Sequence, residues 1–407
     1  MALYSESMEA EFFTNNRRRI TERLNGGLLC LSAYRRMQQK NDTFFPFVQE
    51  SNFLYLSGLF EPDWLLIVDG HQQKTWLVQP HIDDVHLTFD GSLSAETAMA
   101  TSGADAIVSA REVEALLRSL ARKHSVVYTV DHPTWIDTAN FVPNPAITKN
   151  RAMLERIFSS VQPCNSELAA LRSIKQPQEI RAIRKAVTTT VEVFSSIHNN
   201  INDFTSEFEL EAYFTGAFIK HNSQHAYEPI IAAGKNACTL HYTRNADKLK
   251  KGNLVLMDVG AEIDGYAADI TRTYSWGEPT KRQAAVHAAL QAAQAQIVAS
   301  LAPGVSIQSY QKEVDGIMSD TLNQLGLSSN NDRNIVRQYM PHAISHGLGL
   351  DVHDSLAGAT EFAEGMVLTV EPGIYIPAEN IGIRIEDDIL ITNKGYENLS
   401  RKLPTSW

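Results

Sequence analysis

Residues 254–273 read LVLMDVGAEIDGYAADITRT and have the pattern of a β-hairpin. Two β-rich runs flank Asp264-Gly265, a dipeptide that strongly favours a tight hairpin turn. A turn centred there places Asp258 opposite Thr271, whereas a turn centred one residue earlier places Asp258 opposite Asp269. Both registers leave the two aspartates on one face of the hairpin, among apolar neighbours. Carboxylates in such surroundings repel each other unless a cation lies between them, and the alternative is a solvent-facing hairpin that carries acids.

The elements around this hairpin follow an order that occurs twice. Pro177 is well placed as the first residue of a helix, and a helix–helix–sheet order is predicted from there to about residue 276, the second helix beginning at a capping box of Ser206 and Glu209. The same order recurs from the capping box of Thr280 and Gln283 to a second β-rich region over residues 339–392. The sequence therefore predicts an α+β arrangement with an internal pseudo-repeat, whose two sheets join beneath covering helices.

The N-terminal part has a different pattern. Residues 1 to about 160 alternate between predicted strands and helices, and Leu28–Ser32 is a short apolar run typical of a buried strand. Arg17-Arg18-Arg19 is followed by residues at helical spacing and is interpreted as a solvated helix face. The pattern changes around Gln162-Pro163, so we predict an N-terminal domain over residues 1–163 and a C-terminal domain over residues 164–407.

Composition and charge narrow the class of protein. The 407 residues include 36 Lys+Arg and 47 Asp+Glu, and the resulting net charge of −11 argues against nucleic-acid binding. Three widely spaced cysteines cannot form a disulfide framework. No apolar run is long enough to span a membrane, and the first residues do not resemble a signal peptide. The expectation is a cytoplasmic protein with no nucleic-acid partner and no membrane association.

Further acidic side chains lie at strand positions downstream of the hairpin. Glu371 ends an apolar run immediately before a Pro-Gly turn. Strand alternation over residues 383–391 places Arg384, Glu386 and Asp388 on one face, with isoleucines on the other. Each acid alone is compatible with an edge strand that has a polar face.

Histidines cluster between these two regions. His342 and His346 have the i, i+4 spacing of a helical zinc motif, but Ala343 occupies the position where that motif needs glutamate. The surrounding glycines favour a loop instead. His353 follows within the same segment, and His241 lies in another glycine-containing β region.

Four carboxylates and one imidazole form a candidate ligand set: Asp258, Asp269, His346, Glu371 and Glu386. Four negative charges balance two divalent ions. Oxygen-dominated ligation with one imidazole suits Mn²⁺, and Zn²⁺ or Co²⁺ is also feasible. Two such ions generate hydroxide at neutral pH and polarise a carbonyl. Spacing alone does not show that these side chains converge.

The motifs that contain these residues resemble those of the creatinase/aminopeptidase P group of metal-dependent Xaa-Pro peptidases, which have the pita-bread fold. The match covers about residues 165–395 and runs through Asp258-x10-Asp269-Ile-Thr-Arg-Thr, His346-Gly-Leu-Gly-Leu-x-Val-His353, Thr369-Val-Glu-Pro-Gly and Gly382-Ile-Arg-Ile-Glu-Asp. Residues 45–58 resemble the N-terminal domain of bacterial aminopeptidase P, which favours that enzyme over the related prolidases. The resemblance implies a pita-bread catalytic domain behind an N-terminal α/β creatinase-type domain.

The resemblance also implies roles at the metal centre. The five candidate ligands would hold two metal ions, with Asp258 and Glu386 touching the pair most extensively. A hydroxide bridging the ions would attack the carbonyl that precedes proline. Glu371 would orient this hydroxide and pass its proton to the leaving nitrogen. His353 would steady the carbonyl oxygen as it becomes tetrahedral.

Four further residues receive supporting roles from the same resemblance. His241 and His342 would line the proline side of the pocket, while Tyr375 and Arg384 would hold the carboxylate ligands in place. The implied activity is release of the N-terminal residue from peptides with proline at the second position. The implied assembly is a homodimer or homotetramer.

One position departs from the family pattern. In some tetrameric members an aromatic residue of a neighbouring subunit closes the pocket, but Thr88 stands where tryptophan is expected. Asp42 does match an acid used in that arrangement. The alternative functions are an Xaa-Pro dipeptidase (prolidase), a metal-free pita-bread binding protein, and a cysteine hydrolase that uses Cys238 with His241.

Overall fold

The structure is a computed structural model that describes residues 8–133, 136, 141–329 and 333–406. The chain divides into two compact units, Ala2–Leu171 and Arg172–Trp407. The division falls a few residues after Pro163, because the segment that follows stays attached to the first unit: Cys164 donates its backbone N–H to Thr129 O at 2.8 Å. In the described part of the chain, no helix combines the length and apolar character needed to cross a membrane.

The N-terminal unit is built on a six-stranded mixed sheet. Its helices are α1 (Ala10–Arg23), α2 (Ser51–Ser57), α3 (Asp84–Asp90), α4 (Ala95–Ser102), α5 (Val113–Ala121), α6 (Pro145–Glu155) and α7 (Asn165–Arg172). Its strands are β1 (Leu28–Ser32), β2 (Gln38–Lys40), β3 (Thr43–Phe44), β4 (Leu65–Asp69), β5 (Lys74–Gln79), β6 (Ala106–Ser109), β7 (Val126–Thr129) and β8 (Ser160–Pro163). The sheet order is β6-β5-β4-β1-β7-β8, and β2 and β3 form a separate two-stranded sheet. The predicted α/β domain with a buried β1 is confirmed.

The interpretation of Arg17 as solvated is wrong. Its side chain is buried, and its guanidinium donates to Leu56 O at 2.7 Å and to Gly103 O at 3.0 Å. Both carbonyls lie at helix C-termini, where the last C=O groups lack partners within the helix. A cation at the crossing of three helices therefore completes their hydrogen bonding, whereas its neighbour Arg18 is exposed and pairs with Glu22.

The C-terminal unit repeats one order of elements twice, as predicted. Its helices are α8 (Pro177–Asn200), α9 (Glu207–Lys220), α10 (Lys281–Ala299), α11 (Ile307–Gln324) and α12 (Arg333–Tyr339). Its strands are β9 (Gln224–His225), β10 (Ile230–Ala233), β11 (Asn253–Val259), β12 (Ala261–Ile263), β13 (Tyr266–Ala267), β14 (Ile270–Trp276), β15 (Val367–Val370), β16 (Gly373–Ile376), β17 (Ile381–Arg384), β18 (Asp387–Thr392) and β19 (Gly395–Asn398). Helices α8 and α9 precede the antiparallel sheet β10-β11-β14, and α10 and α11 precede the antiparallel sheet β15-β18-β19.

Local capping explains where these helices begin. Thr280 and Gln283 form the predicted reciprocal capping box of α10. At α9 the Ser206 hydroxyl accepts from the backbone N–H of Glu209, as predicted, but the Glu209 carboxylate accepts from Thr205 N at 2.6 Å, one residue before its predicted partner. The two oxygens of Glu209 are thereby satisfied by the N–H and the hydroxyl of Thr205.

The second predicted β-rich region begins too early. Residues 340–366 form a loop between α12 and β15, held by isolated bridges such as Gly347 to Leu368. Gly347 allows a close approach, because a Cβ there would lie 2.4 Å from Asp354 O. A loop that is glycine-rich and tightly folded on itself cannot also present the regular alternation of a strand.

Hydrogen bonds join the two sheets at the segment between β17 and β18. Glu386 donates its backbone N–H to Thr271 O at 3.0 Å, and Arg384 donates its own to the Thr273 hydroxyl at 3.2 Å. The isoleucines that alternate with these residues point the other way, into a large apolar core that includes Ile383, Ile385 and Ile389. The predicted alternation over this segment is confirmed, although two strands with different partners share it.

Candidate metal centre

The hairpin adopts the register centred on Asp264-Gly265. Both turn residues have positive φ, 56° and 80°, as a type I′ turn requires, and Asp258 on β11 lies opposite Thr271 on β14. Asp269 lies immediately before β14. The hydroxyl of Tyr227 is 2.6 Å from Oδ1 of each aspartate, so the two carboxylates do share one face.

His346 and Glu371 reach the same place from the glycine-rich loop and the end of β15. Backbone bonds fix both residues: Thr369 donates to His346 O at 3.0 Å, and Glu371 donates to Ile344 O at 3.0 Å. The ring atom Nδ1 of His346 lies 3.0 Å from Gly347 O. Nε2 therefore faces the acids, at 3.4 Å from both Asp269 Oδ2 and Glu371 Oε1.

Glu386 completes the group from the segment between β17 and β18. Its carboxylate accepts a 2.6 Å hydrogen bond from the hydroxyl of Thr271. Asp269, His346 and Glu386 each offer a ligand atom within 4.8 Å of the others. All five predicted ligands line a single cavity of about 360 Å³. The structure thus brings together side chains that are up to 128 residues apart in sequence, from Asp258 to Glu386.

Further candidate residues lie in or beside this group. Arg384 donates to Asp258 Oδ2 and, at 2.8 Å, to the hydroxyl of Tyr375. That hydroxyl is 3.0 Å from Nε2 of His342, whose Nδ1 is 3.4 Å from Glu371 Oε2. The remaining predicted residues, His241 and His353, line the cavity together with His342 and Arg384.

The carboxylic acids that line the cavity outnumber the positively charged groups beside them. Burial raises the pKa of Asp269 to about 6, and the neighbouring Asp258 adds to this effect although the contact with His346 opposes it. Burial and the charges of Asp269, Glu371 and Asp258 together raise the pKa of Glu386 well above its usual range. Burial disfavours charge on His346, but Asp269 and Glu371 outweigh it and raise the pKa to about 9. A group of ligands that holds extra protons in this way fits a cation in their place.

Glu371 and His353 differ from the other ionisable groups of the cavity. Burial opposes ionisation of Glu371, but the contact with His342 and the charge of His346 outweigh it and lower its pKa. Burial, followed by the charge of His346, lowers the pKa of His353. At neutral pH Glu371 is therefore a carboxylate and His353 an uncharged imidazole.

Three functional neighbours were not among the predicted site residues. Tyr227 bridges two aspartates, Thr271 holds Glu386, and Asp388 accepts from the backbone N–H of Asp269 at 3.1 Å. Thr271 and Asp388 carried a usable signal, because strand alternation had placed each on the face of a predicted ligand. Tyr227 carried none, because it precedes β10 and approaches the aspartates only through the pairing of β10 with β11.

Cys238 does not support a cysteine hydrolase. Its Sγ donates to Ile381 O at 3.3 Å, and burial raises the pKa of the thiol. Among the described residues, those that line the cavity include His241 but not Cys238. A protonated thiol outside the cavity is a poor nucleophile for a substrate inside it.

Family models agree with this geometry. The model of metallopeptidase family M24 matches residues 181–393, a little over half of the chain. The chain belongs to metallopeptidase family M24. The model of the aminopeptidase P N-terminal domain matches residues 13–128. The resemblance to the pita-bread metallopeptidases, and the fold predicted from it, are confirmed.

Proteins named as Xaa-Pro aminopeptidases are similar to this chain over nearly its full length. It is 32% identical to an Xaa-Pro aminopeptidase of Haemophilus influenzae, covering 98% of this chain and 96% of the relative. It is 29% identical to the Xaa-Pro aminopeptidase of Escherichia coli, covering 97% and 95%. The solved structure of E. coli aminopeptidase P with the inhibitor Pro-Leu matches with a TM-score of 0.86 and 28% identity, covering 98% and 96%. A zinc-substituted form of that enzyme, in complex with product, gives the same TM-score of 0.86.

Proposed function

We propose that this protein is an Xaa-Pro aminopeptidase that binds two divalent metal ions through Asp258, Asp269, His346, Glu371 and Glu386. The observation that carries the proposal is the convergence of these five side chains on one cavity. Relatives described as Xaa-Pro aminopeptidases cover both domains, and they favour this activity over that of a prolidase. The intact donor set argues against a metal-free binding protein.

The donor set fits hard divalent ions. Four carboxylates and one imidazole suit Mn²⁺, and a zinc-substituted relative supports exchange among similar ions. Bound ions would supply Lewis acidity, which makes water acidic enough to act as a nucleophile at neutral pH and polarises a carbonyl.

The protein's own side chains orient the substrate and move its protons. Glu371, ionised at neutral pH, takes a proton from the attacking water and returns it to the nitrogen that leaves. His353, uncharged at neutral pH, donates a hydrogen bond to the carbonyl oxygen as negative charge develops there. His342 holds Glu371, and Arg384 with Tyr375 holds Asp258, so the carboxylates keep their orientation before substrate arrives. His241 and His342 line the part of the cavity that takes the proline.

Substrates in this proposal are peptides with proline at the second position, and the enzyme is a homodimer or homotetramer. Thr88 lies exposed on α3, but a threonine side chain has no aromatic ring to offer a neighbouring subunit. We therefore expect that closure of the pocket by a second copy does not depend on this position.

Mass spectrometry of reaction products tests the proposal. After incubation with Mn²⁺, we expect release of the first residue from Xaa-Pro-Yaa peptides and no cleavage of the matched Xaa-Ala-Yaa peptides. A chelator should abolish the reaction and iodoacetamide should not. Asp269→Asn should lose both bound metal and activity while its circular dichroism spectrum stays unchanged, and Glu278→Gln is the matched control outside the cavity.

Two results would contradict this assignment. Cleavage of the dipeptide Xaa-Pro alone would identify a prolidase. Absence of bound metal in elemental analysis, together with no hydrolysis after addition of Mn²⁺, would indicate a binding protein.

A further inference from the structure

An acidic side chain with no predicted role lies at the rim of the cavity. Glu228 lines the cavity and is exposed, between Tyr227, whose hydroxyl contacts two of the ligands, and the strand β10. Ile230, two residues further on, also lines the cavity and pairs with Asp258. Glu228 and Ile230 therefore lie along the same wall of the cavity. Glu228 is therefore a neighbour of the ligand group and not a member of it.

The charge of Glu228 is uncompensated. None of the residues that the structure describes forms a hydrogen bond or ion pair with its carboxylate. The positive charge of Arg384 is not available to it, because that guanidinium is buried and engaged with Asp258 and Tyr375. The rim of the cavity therefore presents a free negative charge to whatever enters.

Two positively charged groups of a peptide substrate could pair with the carboxylate of Glu228. The α-ammonium group is only two bonds from the carbonyl carbon that reacts, so it must lie beside the buried ligands. A lysine or arginine side chain at the first position extends several bonds further from that carbonyl, which allows it to reach the exposed rim next to Asp258 and Asp269. Because Glu228 is exposed whereas Asp258 and Asp269 are buried, the longer side chain is the better partner for it.

We propose that Glu228 selects peptides whose first residue carries a positively charged side chain. This inference rests on the proposed Xaa-Pro aminopeptidase activity and adds a preference at the first position. Exposed ion pairs are weak, so the expected preference is about 1.5- to 5-fold in kcat/KM. It should shrink as salt screens the pair, because the Debye length falls from about 10 Å at 0.1 M to about 3 Å at 1 M.

Three tripeptides measure this preference: Lys-Pro-Ala, norleucine-Pro-Ala and Glu-Pro-Ala. Lysine and norleucine have the same chain length and differ in the ammonium group, so their ratio of kcat/KM isolates the charge. We expect the native enzyme to favour lysine at low salt and Glu228→Gln to lose that preference. Glu228→Lys should favour glutamate as the first residue. Glu278→Gln, which removes an exposed acid outside the cavity, should keep the native ratio.

An unchanged lysine-to-norleucine ratio in both Glu228 variants would overturn the inference. An equal fall for all three peptides would also overturn it, because that pattern would assign Glu228 to the α-ammonium group or to stability. These failures differ from failure of the proposed function. In that case the metal-loaded native enzyme would cleave none of the three peptides.

Discussion

Glu386 and Asp387 are adjacent in sequence and almost fully buried, yet their surroundings are opposite. Asp387 accepts from Arg272 at 2.7 Å and Ser400 at 2.6 Å through one oxygen, and from Gln294 at 2.7 Å and Asn398 at 2.8 Å through the other. Although burial opposes its ionisation, these partners lower its pKa.

Glu386 points the other way and meets three further acids. Its hydrogen bond from Thr271 does not offset burial and the charges of Asp269, Glu371 and Asp258, so its pKa is raised. The comparison separates two ways of burying a carboxylate. Asp387 has its counter-charge within the chain, whereas Arg384 and His346 are too few to balance Glu386 and the three acids around it, which leaves room for a bound cation.

The largest expected effect is on catalysis, from Glu386→Gln. Activity should fall by more than about 100-fold, since loss of residues that merely support metal ligands already costs 10- to 100-fold. The metal-free variant should be no less stable than the metal-free native protein, because glutamine replaces a buried carboxyl group whose raised pKa already keeps it protonated. Steady-state kinetics measure the loss of activity. Thermal denaturation in the presence of a chelator compares the stability of the metal-free variant with that of the metal-free native protein. A variant with native activity, or with a much lower melting temperature than the metal-free native protein, would contradict the comparison.

The next effect is on stability, from Arg272→Met. This change leaves the Asp387 carboxylate buried without its counter-charge, which should lower the free energy of unfolding by about 3–5 kcal/mol. Urea denaturation measures it.

The matched control is Arg184→Met, at an ion pair with Glu397 in which both side chains are partly exposed. Its expected cost is about 0–1 kcal/mol. Equal losses in the two variants would mean that burial of the Arg272 pair does not govern its contribution.

The smallest effect is a release of protons when metal binds. In the metal-free protein His346 has a pKa of about 9 and Asp269 about 6, so both retain protons in a pH range where the unfolded chain, with values of about 6.5 and 3.9, has lost them. The bound proton on each residue stabilises the folded, metal-free protein. This stabilisation is lost as the pH rises through the folded-state pKa, about 6 for Asp269 and about 9 for His346. Metal should displace these protons, so its affinity should increase with pH.

Calorimetric titration with Mn²⁺ at pH 7, in two buffers that differ in ionisation enthalpy, counts those protons. We expect about one proton or more per protein, mainly from His346 and Glu386. Binding without proton release between pH 5 and 8 would show that the ligands are already fully deprotonated.

Local rules predicted much of what surrounds the site. Asp264-Gly265 defined the hairpin turn, although two registers remained open until the pairing of Asp258 with Thr271 closed the choice. Strand alternation correctly placed Arg384, Glu386 and Asp388 opposite the isoleucines. The predictions that were wrong depended on distant partners: Arg17 is buried by the ends of two other helices, and the loop over residues 340–366 is held by contacts with β15 and with itself.

The order of amino acids sets the chemistry available to this protein: which residues carry carboxylates and imidazoles, which turns and caps begin its elements, and which side chains share a strand face. These properties depend on neighbours one to four residues apart. The folded chain alone establishes that His346, on a loop, meets Asp269, just before β14, and Glu386, between β17 and β18. Their proximity depends on backbone hydrogen bonds such as that from Glu386 N–H to Thr271 O. These two residues are far apart in sequence, and no local pattern predicts that they lie close together in space.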